Sequence, residues 1–172
     1  MNERLDEDFI SLVNQNMGIA TKVSRLYFMD DDEREDALQE MMFQLFRSYK
    51  SFDGRSKFST WMYSVCLNTA LTYHRKSKNR KEERLMPIHH QIADQPLSDK
   101  DETVSLLFQA IGKLTALKKA IIFLYLENMS YDEIANVTGL TKSNVSVKLV
   151  RIKKELELEL RKTIKSIEDV NF

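Results

Sequence analysis

A single cysteine in 172 residues, Cys66, has no partner for an internal disulfide. The fold must therefore hold by packing, and a reducing cytoplasm is the simplest setting. Four glycines and two prolines are too few for a chain of many short strands and tight turns. With Leu, Lys, Glu and Met plentiful, the balance favours helices. No apolar run approaches the ~20 residues of a membrane span, so the protein is not expected to be membrane-inserted. The opening segment MNERLDEDF is acidic and polar, unlike a secretory signal. There is no Gly-rich phosphate loop. His89-His90 is the only metal-like pair; adjacent residues on an extended segment point apart, and no cysteine or carboxylate cluster stands beside them. These absences leave no candidate catalytic residue, metal site, cofactor or small-molecule substrate. The expectation is a binding protein and not an enzyme.

What is present is an apolar fraction of 42% beside 30% charge, which excludes a disordered chain. Charge balances at 26 cations and 26 acids, but in opposing blocks. Residues 1–40 hold four cations and eleven acids; residues 41–84 hold ten and three. An acidic stretch follows over 85–112, and residues 141–172 return to eight cations and five acids. Two basic zones with an acidic stretch between them suggest two surfaces for one polyanion.

Apolar spacing predicts a helix over Leu5 to Phe28, through Phe9, Leu12, Val13, Met17, Ala20, Val23 and Tyr27. The acids Asp30 to Glu33 can start a second helix, striped by Leu38, Met41, Met42, Leu45, Phe46 and Tyr49. SFDGRSK (Ser51 to Lys57) reads as a loop with a turn at Asp53-Gly54. A third helix follows, with Ser59 as its expected cap. Residues 82–102 lose periodicity, hold Pro87 and Pro96, and read as a flexible linker. A second helical unit is expected from Thr103, with a short buried helix at Leu117 to Leu126.

SYDE (Ser130 to Glu133) is a capping box. Gly139 can take positive φ at a helix end, and Thr141 can cap the next helix. Helix, Gly-containing turn, helix is the arrangement that places a second helix in a DNA groove. On that helix Val145, Leu149, Ile152 and Leu156 share a narrow arc that can bury against Ile134 and Leu140. Ser143, Asn144, Val147, Lys148, Arg151 and Lys154 share the opposite arc. Asn and Ser can address base edges, Arg can fork onto guanine, Lys can hold phosphate, and Val147 can touch a thymine methyl. From Thr141 to Lys154 there are five cations and no acid.

The other basic zone interleaves aromatics with cations: Phe52, Phe58, Trp61, Tyr63 and Tyr73 among Arg55, Lys57, His74, Arg75, Lys76, Lys78, Arg80 and Lys81. Ring faces stack on unpaired bases and cations follow the backbone, a mixture suited to opened DNA. Rings at helical spacing also build cores, and much of Trp61 is expected to be buried.

Taken in order, DALQEMMFQLFRSYKSFDGRSKFSTWMYSVCLNTALTYHRK resembles the second conserved region of bacterial RNA polymerase sigma factors, and SYDEIANVTGLTKSNVSVKLVRIKKEL resembles their fourth. The short separation makes the chain similar to the compact extracytoplasmic-function group of the sigma-70 family. The resemblance implies an all-α fold of two small domains, 1–81 and 103–172, joined by a linker at 82–102, the second domain a helix-turn-helix. It implies core RNA polymerase and promoter DNA as partners, and an anti-sigma factor as a frequent third. By position, Asp36, Gln39, Glu40 and Phe43 match the polymerase-docking part. Phe52, Gly54, Lys57, Phe58, Trp61, Asn68, His74, Arg75 and Lys76 match the part that opens and reads the minus-ten element, where a flipped base costs unstacking energy. Thr141, Lys142, Ser143, Asn144, Ser146, Val147, Lys148 and Arg151 match the reader of the minus-thirty-five element. Thr115, Ser146 and Val150 depart from the residues common there, namely Pro, a basic residue and His. The competing reading is a stand-alone dimeric helix-turn-helix regulator, which leaves residues 51–81 without a task.

Overall fold

A computed structural model describes residues 3–83 and 99–170, with side chains over 7–76 and 104–165. His89, His90, Pro87 and Pro96 lie outside the described residues. So do the side chains of Lys78, Arg80 and Lys81. The described residues form helices and their connections, with no strand among them. In order these are α1 (Glu3–Tyr27), α2 (Asp31–Tyr49), α3 (Phe58–Glu83), α4 (Asp99–Gly112), α5 (Ala116–Leu126), α6 (Tyr131–Thr138) and α7 (Lys142–Val170). They sort into two units, α1–α3 and α4–α7.

In the first unit α1 packs on α3 and both pack on α2. Val23, Ala20, Ala37, Met41, Leu45, Met62, Cys66 and Ala70 are wholly buried at their meeting faces. Each large side chain taken fully from water contributes about 1.5–3 kcal/mol. Asp30 caps α2, its carboxylate accepting from the Glu33 amide at 3.0 Å, so the acidic run does start that helix. Three observations differ from the sequence reading. Helix α3 begins at Phe58, so Ser59 lies inside the first turn instead of capping it; the Lys57 carbonyl accepts the first helical bond, from Trp61. Phe46 is 54% exposed, because its neighbour Leu45 takes the inward position. Met17 likewise stays at the surface of α1.

In the second unit α7 packs against α4, α5 and α6, and α5 packs against α6. Helix α4 starts at Asp99, ahead of Thr103, because Asp99, Asp101 and Glu102 suit a first turn. Helix α5 buries Ala120, Ile121, Ile122 and Leu124, while its end residues Leu117 and Leu126 face outward. Thr115 takes the extended cap conformation of α5 and makes no side-chain cap bond.

Candidate nucleic-acid interface

The turn between α6 and α7 is built as its sequence suggests. Ser130 Oγ accepts from the Glu133 amide at 3.2 Å, and the Glu133 carboxylate accepts from the Ser130 amide at 2.9 Å. Gly139 ends α6 in the left-handed region at φ 71°. Thr141 Oγ1 accepts from the Asn144 amide at 3.2 Å and so caps α7. Val145, Leu149, Ile152 and Leu156 are buried on one side of α7, together with Ile134 of α6.

The opposite side carries Ser143, Asn144, Val147 and Arg151, all exposed, with Ser146 and Lys148 half-buried and Val150 exposed. The second unit sorts its cations into two sets, and sequence spacing does not reveal the sorting. Lys118 donates to Glu155 at 2.6 Å, Lys113 to Glu159, and Arg161 to Glu157 at 2.9 Å. The Lys113 ammonium holds the Glu159 carboxyl below the usual carboxylate range. Lys153 sits 3.9 Å over the ring of Tyr125. Lys142 donates to Asp132 at 2.7 Å. Lys148, Arg151 and Lys154 have no such partner among the described residues, and they lie along the face that shows Asn144 and Val147. Paired cations brace the helices; unpaired ones leave positive charge on one strip, the footprint that a phosphate backbone meets.

In the first unit the rings predicted to meet bases pack edge-on or tilted against one another. Phe52 lies 5.2 Å from Trp61, 5.7 Å from Phe58 and 6.4 Å from Tyr49, and Phe58 lies 5.2 Å from Trp61. Tyr49 reaches Phe9, which also meets Phe46. Phe52, Phe58 and Trp61 are half-buried as a result. This cluster anchors both ends of the loop at 51–57. Within the loop Gly54 takes φ 72°, and Asp53 accepts from the Arg55 amide and guanidinium. The amide bond, foremost, and the guanidinium hold the Asp53 carboxyl below its ordinary value. Lys57 is exposed at the loop's end.

Further along α3, Asn68 is exposed. His74 packs near Phe28 and Tyr27, with centroids at 6.2 and 6.1 Å, while Arg75 and Lys76 face solvent. On α2, Asp36, Gln39 and Phe43 are exposed and Glu40 is half-buried, accepting from Gln44 at 2.8 Å. Their spacing sets them along one side of the helix. Asp36 also accepts from the Tyr73 hydroxyl at 3.2 Å. The described residues contain no group of His, Cys and carboxylates able to hold a metal, and no helix long and apolar enough to cross a membrane.

Comparison with known proteins agrees with this two-unit layout. A family model described as Sigma-70 region 2 matches residues 12–80, and one described as Sigma-70, region 4 matches residues 105–156. The chain is 26% identical over 148 residues to the ECF RNA polymerase sigma factor SigX of Bacillus subtilis, covering 77% of this chain and 76% of that protein. It is 27% identical over 161 residues to the ECF RNA polymerase sigma-E factor of Haemophilus influenzae, covering 86% and 82%. In fold it is similar to the sigma factor RpoE crystallised with the anti-sigma factor NepR from Bartonella quintana. That match has a TM-score of 0.77 at 17% identity, over 90% of this chain and 98% of that one. Two family models in order along the chain, with relatives that span both, place it: the chain belongs to the sigma-70 family of RNA polymerase sigma factors, in its extracytoplasmic-function group.

Proposed function

We propose that this chain binds core RNA polymerase and directs initiation at its promoters, with the work divided between its two units. Residues 1–81 serve polymerase binding and the minus-ten element, 82–102 link, and 103–172 serve the minus-thirty-five element. On α7, Asn144, Ser143, Ser146, Val147 and Arg151 address base edges, while Lys148 and Lys142 hold phosphates and Thr141 fixes the helix start. In the first unit the ring cluster of Phe52, Phe58 and Trp61 holds the loop that presents Gly54 and Lys57 to an opened strand. Asn68, His74, Arg75 and Lys76 meet the adjoining duplex, and Asp36, Gln39, Glu40 and Phe43 meet the polymerase. The chain takes no catalytic step of its own and works in the cytoplasm with the polymerase; the sigma factor of similar fold is crystallised with an anti-sigma factor, which makes such a protein a candidate third partner here.

The observation that carries this reading is the unpaired strip of Lys148, Arg151 and Lys154 beside Asn144 and Val147, on the side of α7 opposite its buried arc. Val147, 49% exposed on that side, stands where an aliphatic group can meet a thymine methyl. The test is run-off transcription with core polymerase on fragments of the source genome. The reading expects discrete starts that depend on the added chain. A chain that shifts duplex unaided and leaves polymerase unaffected is instead a stand-alone regulator.

A further inference from the structure

Lys142 is the first residue of α7, a helix with no acid in its first turn. A cation there opposes the positive end of the helix dipole. Asp132, ten residues earlier in the first turn of α6, meets it: the carboxylate accepts from Lys142 Nζ at 2.7 Å, with both side chains more than half exposed. Asp132 is not needed to cap its own helix, because the neighbouring Glu133 closes the capping box with Ser130. Its carboxylate therefore stands in front of the start of α7, where Thr141 caps and Lys142 points outward.

We propose that Asp132 is a specificity-determining residue: its carboxylate occupies Lys142 in place of a DNA phosphate and so suppresses binding to sequences that α7 does not match. This rests on the reading of α7 as the duplex-facing helix. An exposed ion pair is weak and exchangeable. On mixed-sequence duplex, contact of Lys142 with a phosphate must displace Asp132, and the exchange returns little. On a matching site the base contacts of Asn144 and Arg151 seat the helix regardless. The carboxylate thus lowers affinity for duplex that offers α7 no base contacts.

The test uses the full chain and a mixed-sequence 30-base-pair duplex, with affinity followed by fluorescence anisotropy from low to high potassium chloride. Asp132→Asn should tighten binding about three- to eightfold near 0.1 M salt, and steepen the log–log salt slope by about 0.9, the value for one added phosphate contact. In a Lys142→Gln background the same change should do neither. Glu157→Gln, which removes an equal charge from the Arg161 pair further along α7, should leave the slope unchanged. No gain from Asp132→Asn, or an equal gain without Lys142, overturns the proposal. Failure of the underlying reading looks different: Arg151→Ala, made with Asp132 and Lys142 in place, would then leave duplex binding untouched.

Discussion

Phe52→Ala separates a loop held by its own rings from a loop whose rings wait for DNA. Phe52 touches Tyr49, Phe58 and Trp61, all within 6.4 Å between centroids. Truncating a fully buried Phe costs about 3–5 kcal/mol, and Phe52 is half-buried, so the area and cavity terms come to roughly half of that. Ring pairs add about 0.5–1.5 kcal/mol beyond area where geometry is good. The expected loss is about 2 kcal/mol, confined to the first unit. Trp61 is the only tryptophan and sits in the cluster, so its emission during urea unfolding reports that unit alone. With a urea slope of about 1 kcal/mol/M for so small a unit, the midpoint should fall by about 2 M. Phe52→Leu, which keeps apolar bulk but loses the ring geometry, should recover about half. A midpoint that moves by less than about 0.3 M, against that slope, would refute the reasoning. The rings would then contribute nothing in the free protein.

Three further outcomes are expected. Arg151→Ala and Asn144→Ala should each lose discrimination at one or two base pairs, by about 1–3 kcal/mol, in competition binding of the holoenzyme; equal loss on every sequence contradicts their placement as base readers. Burial pushes the Cys66 thiol up to about 12, and burial also raises the Tyr27 hydroxyl. Between pH 9 and 12 the unfolded chain then releases a proton that the folded chain keeps, so stability is full below pH 9 and falls above it, by about 1.4 kcal/mol per pH unit for Cys66 alone. Urea midpoints from Trp61 at pH 8, 9 and 10 check this, and a curve that stays flat, or one that Cys66→Ala leaves unchanged, contradicts it. Gly139→Ala should cost about 1–2 kcal/mol by circular dichroism, because the backbone is left-handed there while nothing lies within 4 Å of the added methyl. A loss well above that range would mean a close contact at the turn.

Much of the fold was legible because the signals were local. The Ser130–Glu133 box, Gly139 and the Thr141 cap are each read from spacing within four residues, and all three form as expected. The two arcs of α7 follow from a period of 3.6 residues, and the buried one is buried. What spacing could not decide was competition between neighbours. Leu45 and Phe46 both fit the apolar stripe of α2, and only packing against α1 and α3 shows that Leu45 is the one buried. Asp99, Asp101 and Glu102 suit a linker or a first helical turn equally well by composition, and the helix takes them. The pairing of Lys142 with Asp132, Lys118 with Glu155 and Lys113 with Glu159 joins residues ten to 46 apart. Only the assembled unit shows which cations are spoken for and which are left facing out.

The decisive measurement is initiation itself. Purified chain is added to core polymerase on genomic fragments, and the 5′ ends of the transcripts are mapped. The division of labour between the two units predicts starts downstream of paired sequence elements. Those starts should weaken with Arg151→Ala, through its contacts at one element, and with Phe52→Ala, through the loop it holds at the other. Transcripts that begin at the same places without the chain, or no transcripts from any fragment, would contradict it.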